Sequence, residues 1–226
     1  MFDEDVQESN VVTVTGKVVE ECVFSHNIYG EGFYAFKISS KRLSDQYDIL
    51  PITISERLVD KGSLCVDTLV KITGQLRSYN NYNNSKASRL VLTIFAREIN
   101  LLPEEPEHAE NTILLNGYIC KNPIYRKTPF GREISDVLVA VNRAYHKSDY
   151  IPCIAWGRNA RYMQNLEVGA EISIQGRVQS RFYQKKIDEV IEERVAYEVS
   201  VSKIEVHCNK NNVSEEETTE LEIGVD

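Results

Sequence analysis

Residues 149–160 read DYIPCIAWGRNA and hold the single tryptophan of the chain. With a two-residue period, the stretch begins as a strand. Tyr150, Pro152, Ile154 and Trp156 point one way, and Ile151, Cys153 and Ala155 the other. Both faces are apolar, one carrying large rings and one carrying small groups, so periodicity leaves open which of them is the core. The strand then turns into a short helical run, RNARYMQNLEVG, which Gly169 can help to end.

The same strand occurs earlier. DILPITI (48–54) matches DYIPCIA (149–155), setting Asp48 on Asp149 and Pro51 on Pro152, 101 positions apart. VVTVTGKVV (11–19) matches TILLNGYIC (112–120) and sets Gly16 on Gly117 at the same offset. VKITGQLRS (70–78) matches ISIQGRVQS (172–180) and sets Gly74 on Gly176 at 102. Three blocks in one order at one offset mean two copies of a single domain rather than a solenoid. The expected division is an acidic arm (1–10), a first copy (11–102), an acidic connector (103–110), a second copy (111–206) and an acidic tail (207–226). The connector, with two prolines and four glutamates, reads as a solvated hinge.

Each copy is strand-rich. In the second, strands are expected near 112–120, 133–143, 149–156, 170–180 and 195–206, with a reversal at TPFG (128–131) and the helix between the third and fourth strands. That order is the one found in OB-folds. The expected class is all-β, two tandem OB-folds, each a five-stranded Greek-key barrel with a short helix between strands three and four. Such barrels often bind oligonucleotides or oligosaccharides across strands two and three. The choice between ligands rests with side chains.

The net charge of −8 looks unfavourable for a polyanion, but it is unevenly placed. Residues 11–102 hold 11 basic and nine acidic side chains, and residues 111–205 hold 14 and 11, so both copies are mildly positive. The tail 206–226, with one basic and six acidic residues, and the connector carry much of the excess. Five cysteines without a CxxC spacing read as reduced thiols, and His207-Cys208 has no second pair to complete a zinc site. The start, MFDEDVQESN, lacks a basic region and an apolar core, and no apolar run approaches the ~20 residues of a membrane span. The expected setting is cytoplasmic.

In the second copy Tyr145, Tyr150, Trp156, Phe182 and Tyr183 are interleaved with Arg143, Lys147, Arg158, Arg177, Arg181, Lys185 and Lys186. Single-stranded nucleic acid offers unpaired base faces to the rings and a phosphate chain to the cations. Stacking contributes roughly 1–3 kcal/mol per base and tolerates any base. The alternative is ordinary core rings and solvated charges. No phosphate-cradling glycine loop or nucleophile arrangement is present, and the DEVIEE carboxylates (188–193) read as a solvated tip between the last two strands, so no enzyme activity and no cofactor is expected.

The second copy resembles the DNA-binding domain of bacterial single-stranded DNA-binding proteins. The resemblance is carried by NTILLNGYICKNPIYRKTPFGREISDVLVAVNRAY, SDYIPCIAWGRNA, GRVQSRFY and AYEVSVSKIE, in family order over about 95 residues. It implies base stacking by Tyr145, Tyr150, Trp156 and Tyr183, with Cys153 and Ala155 turned inward. It implies phosphate contacts by Arg126, Arg143, Arg158, Arg177 and Arg181. The first copy departs at these places, with Ile49 opposite Tyr150, Ser55 opposite Trp156 and Asn81 opposite Tyr183, although it keeps Tyr47, Tyr79 and Tyr82 with Arg77, Lys86 and Arg89. Its role is open between direct contact and bracing. The resemblance further implies a homodimer supplying four OB domains to coat single-stranded DNA in replication, recombination or repair. The tail lacks the terminal Pro-Phe with which the family recruits replication and repair proteins. An alternative is an OB-fold adaptor of a replication-restart or plasmid complex that acts mainly through protein contacts.

Overall fold

Apolar residues at every second position put Val12, Val14 and Val18 of the first strand, β1 (Asn10–Val18), inside a barrel. The computed structural model describes residues 9–44, 46–80, 90–187 and 190–207. Most of the acidic arm, nearly all of the acidic tail with Cys208, and Tyr82, Lys86 and Arg89 lie outside the described residues. After β1 the first copy runs through β2 (Val23–Ile28), β3 (Glu31–Lys41), β4 (Tyr47–Ser55), β5 (Leu69–Asn80) and β6 (Leu90–Leu101). The second copy has β7 (Asn111–Ile119), β8 (Ile124–Lys127), β9 (Glu133–Arg143), β10 (Lys147–Trp156), helix α1 (Arg158–Met163), β11 (Glu171–Ile187) and β12 (Val190–His207).

Each copy closes on itself. In the first, β1 pairs with β3 and β5, β3 with β4, β5 with β6, and the ring is completed by a short parallel pairing of β4 and β6 at Ile52↔Ile94. In the second, β10 and β12 pair in parallel at Cys153↔Val199. This is the Greek-key closure of an OB barrel. The repeated glycines sit where it is tightest. A Cβ on Gly117 would run into the Ala140 carbonyl, and one on Gly176 into that of Ser200, beside a bulge in the β11–β12 ladder.

Three features add to the sequence reading. Short edge strands β2 and β8 extend β3 and β9 into hairpins, and the TPFG turn joins β8 to β9 with Gly131 at φ 75. The strand-three to strand-four connection is helical in both copies but unequal. In the second copy α1 buries Ala160 and Met163, while the first has a single 3-10 turn, Lys61–Ser63. The last hairpin is longer than expected. Ile191, Glu192 and Glu193 belong to β12, paired with Lys186, Lys185 and Gln184, rather than to a loop.

The two barrels share one sheet. Strand order is β2-β3-β4-β6-β5-β1-β7-β11-β12-β10-β9-β8, a sequence that reads the same from either end once β7–β12 are matched to β1–β6. At the seam β1 runs antiparallel to β7, and Val12 pairs with Ile113, its own repeat equivalent. A pseudo-two-fold axis therefore passes through that pair. The connector adds surface ion pairs, Lys17 to Glu105 at 3.0 Å and Lys71 to Glu110 at 2.7 Å, which are weak in water.

Candidate nucleic-acid interface

Strand β10 resolves the two-faced stretch. Ile151, Cys153 and Ala155 are buried, while Tyr150 and Trp156 stand out of the barrel at 45% and 39% exposure. Ile154, on the ring side, is nevertheless buried. The small groups face inward in a barrel that β10 closes by pairing with β9 and β12. Burial pushes the Cys153 thiol well above its ordinary range, so it is an inert packing group.

The other predicted rings flank this strand. Tyr145 is almost fully exposed, in the tight turn between β9 and β10, with φ 62 in the left-handed region that bulky residues seldom occupy. Tyr183 is partly exposed on β11, with the Arg181 guanidinium 5.9 Å from its ring centroid. Arg181 also reaches Glu198 at 3.2 Å, and Gln179 donates to the same carboxylate at 2.8 Å. Hydrogen bonding and the charge of Glu198 hold Arg181 above the usual guanidinium range despite partial burial.

A groove of about 580 Å³ brings together Trp156, Arg177 and Arg181 of the predicted set, and adds Arg132 and Phe182. Residues of the first copy form its other wall. Arg132 was not singled out from the sequence. Its signal was its place directly after the TPFG turn, which points it along the hairpin toward the rings. Arg126 pairs with Asp136 at 2.8 Å on the β8–β9 hairpin, and Arg158 is exposed as the first residue of α1. The side chains of Lys185 and Lys186 lie outside the described residues.

Arg177 and Arg143 serve the seam as well. Asp48 of the first copy is fully buried and receives Arg42 at 2.6 Å, Arg177 at 2.8 Å and the Ser180 amide at 2.8 Å. Asp149 of the second copy is its mirror, also fully buried, receiving Arg77 at 3.0 Å, Arg143 at 3.4 Å and the Ser78 amide at 2.7 Å. The serine hydroxyls complete each clamp, accepting from the Ile49 amide at 3.0 Å and the Tyr150 amide at 2.7 Å. Burial lowers the pKa of both Arg177 and Arg77, with the aspartates opposing it. Each cluster sets two guanidiniums against one carboxylate, and the surplus positive charge of the Asp48 cluster lies beside the groove.

Among the described residues no group of three or more His, Cys, Asp or Glu side chains could hold a metal, and no helix is long and apolar enough to cross a membrane. Residues 110–207 match the single-strand binding protein family. Single-stranded DNA-binding protein 1 of Staphylococcus aureus is 34% identical over 83 residues, covering 34% of this chain and 50% of that protein. Single-stranded DNA-binding protein A of Bacillus subtilis is 32% identical over 83 residues, covering 34% and 48%. The chain thus spans about half the length of these relatives. The single-stranded DNA binding protein of Thermus aquaticus shares the fold across both copies, with a TM-score of 0.70 over 88% of this chain and 93% of that one at 18% identity. Its second copy is thus similar in sequence to the single-strand binding protein family.

Proposed function

We propose that the protein binds single-stranded DNA without marked sequence preference and protects it during replication, recombination or repair, with no catalytic step. The observation that carries this reading is the groove at Trp156. Rings and arginines line it, and no carboxylate does. Tyr145, Tyr150, Trp156 and Tyr183 supply base platforms. Arg126, Arg158 and Arg181 supply phosphate contacts, while Arg143 and Arg177 share that work with the seam clamps. Stacking on rings reads no base edge, which suits a coating role.

The working particle is a homodimer that presents four OB-folds. Each chain is already a pseudo-two-fold pair, and closed two-fold association is the commonest way to extend one. A furrow along the β1–β7 seam, lined in part by Val11, Thr13 and Leu114, offers surface for it.

The test is a titration with oligo-dT, read by the fluorescence of Trp156 at low and raised salt. Quenching and an affinity that falls as salt rises are expected. Absence of both at low salt would overturn the reading. Solution mass with binding stoichiometry tests the dimer.

A further inference from the structure

We propose that the first copy takes part in binding at one of the two pseudo-symmetric seams, with Tyr47 as an additional base platform and Arg42 as an additional phosphate contact. This rests on the single-stranded DNA reading above.

The groove holding Trp156 is built by both copies. Arg42, Gln46 and Tyr47 of the first copy face Trp156, Phe182 and Arg181 of the second. Tyr47, the first residue of β4, is 54% exposed. Four arginines line the groove, the fourth being Arg132 with Arg177 at the seam. The carboxylates that partner three of them, Asp48 and Glu198, are buried beneath, so four cations stand over two anions. A chain of phosphates carrying flat bases complements both the charge and the rings of such a surface, whereas an apolar or basic peptide does not. A strand stacked on Trp156 then leaves the second copy across Tyr47 and Arg42.

The mirror seam keeps Arg77 and Arg143 around Asp149 but lacks the counterparts of Trp156, Arg132 and Tyr47. The repeat offset puts Ser55 at the place of Trp156 and Glu31 at that of Arg132. There Ser55 donates to Glu31, and Arg57 pairs with the same carboxylate at 3.3 Å. A carboxylate stands where phosphate would need a cation, and Ser148 stands opposite in place of Tyr47. Arg57 is spent on that carboxylate, so this point offers phosphate less positive charge than Arg132 does in the groove. Two-fold geometry with one-sided side chains therefore gives a single crossing from copy to copy.

Tyr47→Ala tests this in the full chain, because Arg42 also holds Asp48 and its removal would disturb the fold. Labelled oligo-dT binding is expected to weaken about 5- to 100-fold, the loss of one stacked base. Trp156 quenching at saturation should persist. Tyr47→Phe, which keeps the ring, should bind like the parent, and Tyr79→Ala at the mirror seam should stay within about twofold, as expected of a side chain outside the path. Unchanged binding by Tyr47→Ala, an equal loss in Tyr79→Ala, or failure of Tyr47→Phe to restore binding would overturn the inference while leaving the binding function standing. A parent protein that neither binds nor quenches would instead remove the function and the inference together.

Discussion

The Asp48 carboxylate of the first copy accepts the Ser180 amide of the second at 2.8 Å, so a fully buried charge of one barrel takes part of its partner set from the other. The Asp149–Ser78 bond repeats the arrangement in the opposite sense at 2.7 Å. Neither barrel has a complete partner set for its aspartate alone. The copies should therefore unfold together.

Asp48→Ala should lower stability by about 2–4 kcal/mol, read as a lower urea midpoint. Removing Asp48 leaves Arg42 and Arg177 without their shared carboxylate, and breaking a buried pair is costly. The figure is kept below the fully buried range because both arginines retain some contact with water. Two separated transitions in the unmutated protein would contradict the coupling.

Arg158→Ala and Arg177→Ala should differ in kind. Arg158 is exposed on α1, so its loss should leave the melting temperature nearly unchanged and reduce the salt slope of DNA binding by about one. Arg177 pairs with Asp48, so its loss should lower the melting temperature as well. Parallel thermal melts and salt titrations separate the two effects.

Gly117→Ala should destabilise the second barrel by about 1–3 kcal/mol, or prevent folding, because the new methyl meets the Ala140 carbonyl. Gly131→Ala has open space around its Cβ, and strain alone, from φ 75, should cost about 1 kcal/mol. Thermal unfolding of the pair distinguishes collision from strain.

Thiol labelling followed by peptide mapping should rank the cysteines by burial. Among the cysteines of the described residues, Cys65 is exposed and should react first, with Cys22 and Cys120 slower. Cys153 should react only after denaturation, since burial both shields its thiol and raises its pKa, so little thiolate forms at neutral or mildly alkaline pH. Rapid labelling of Cys153 in the native protein would place β10 the wrong way round.

Much of the architecture was legible because it rests on local regularities. The offset of Gly16 to Gly117 and Gly74 to Gly176 announced two copies, and these glycines prove to lie where strands meet too closely for a side chain. Alternation located the barrel strands, and the TPFG turn located a hairpin. The edge strands were less visible. β2 is exposed along its whole length, so VFSHNI carries no inward–outward pattern to read.

The sequence by itself determined that there are two barrels and that the second carries the rings and the family's motifs, because repeats, periodicity and motif spacing are properties of the chain order. Which face of DYIPCIAWGRNA is buried could be derived from neither its hydrophobicity nor its period, and only the resemblance oriented it. The tertiary structure decided it by closing the barrel through β10 with Ile151, Cys153 and Ala155 inside and Tyr150 and Trp156 outside. It also decided that Arg177 and Arg77 are tied to Asp48 and Asp149 across the two copies, and that Arg42 and Tyr47 share a groove with Trp156. Those partners lie roughly a hundred residues apart or answer to a buried charge in the other copy. Pairings of that kind depend on how the β1–β7 seam docks one barrel on the next, and no local pattern in the chain encodes it.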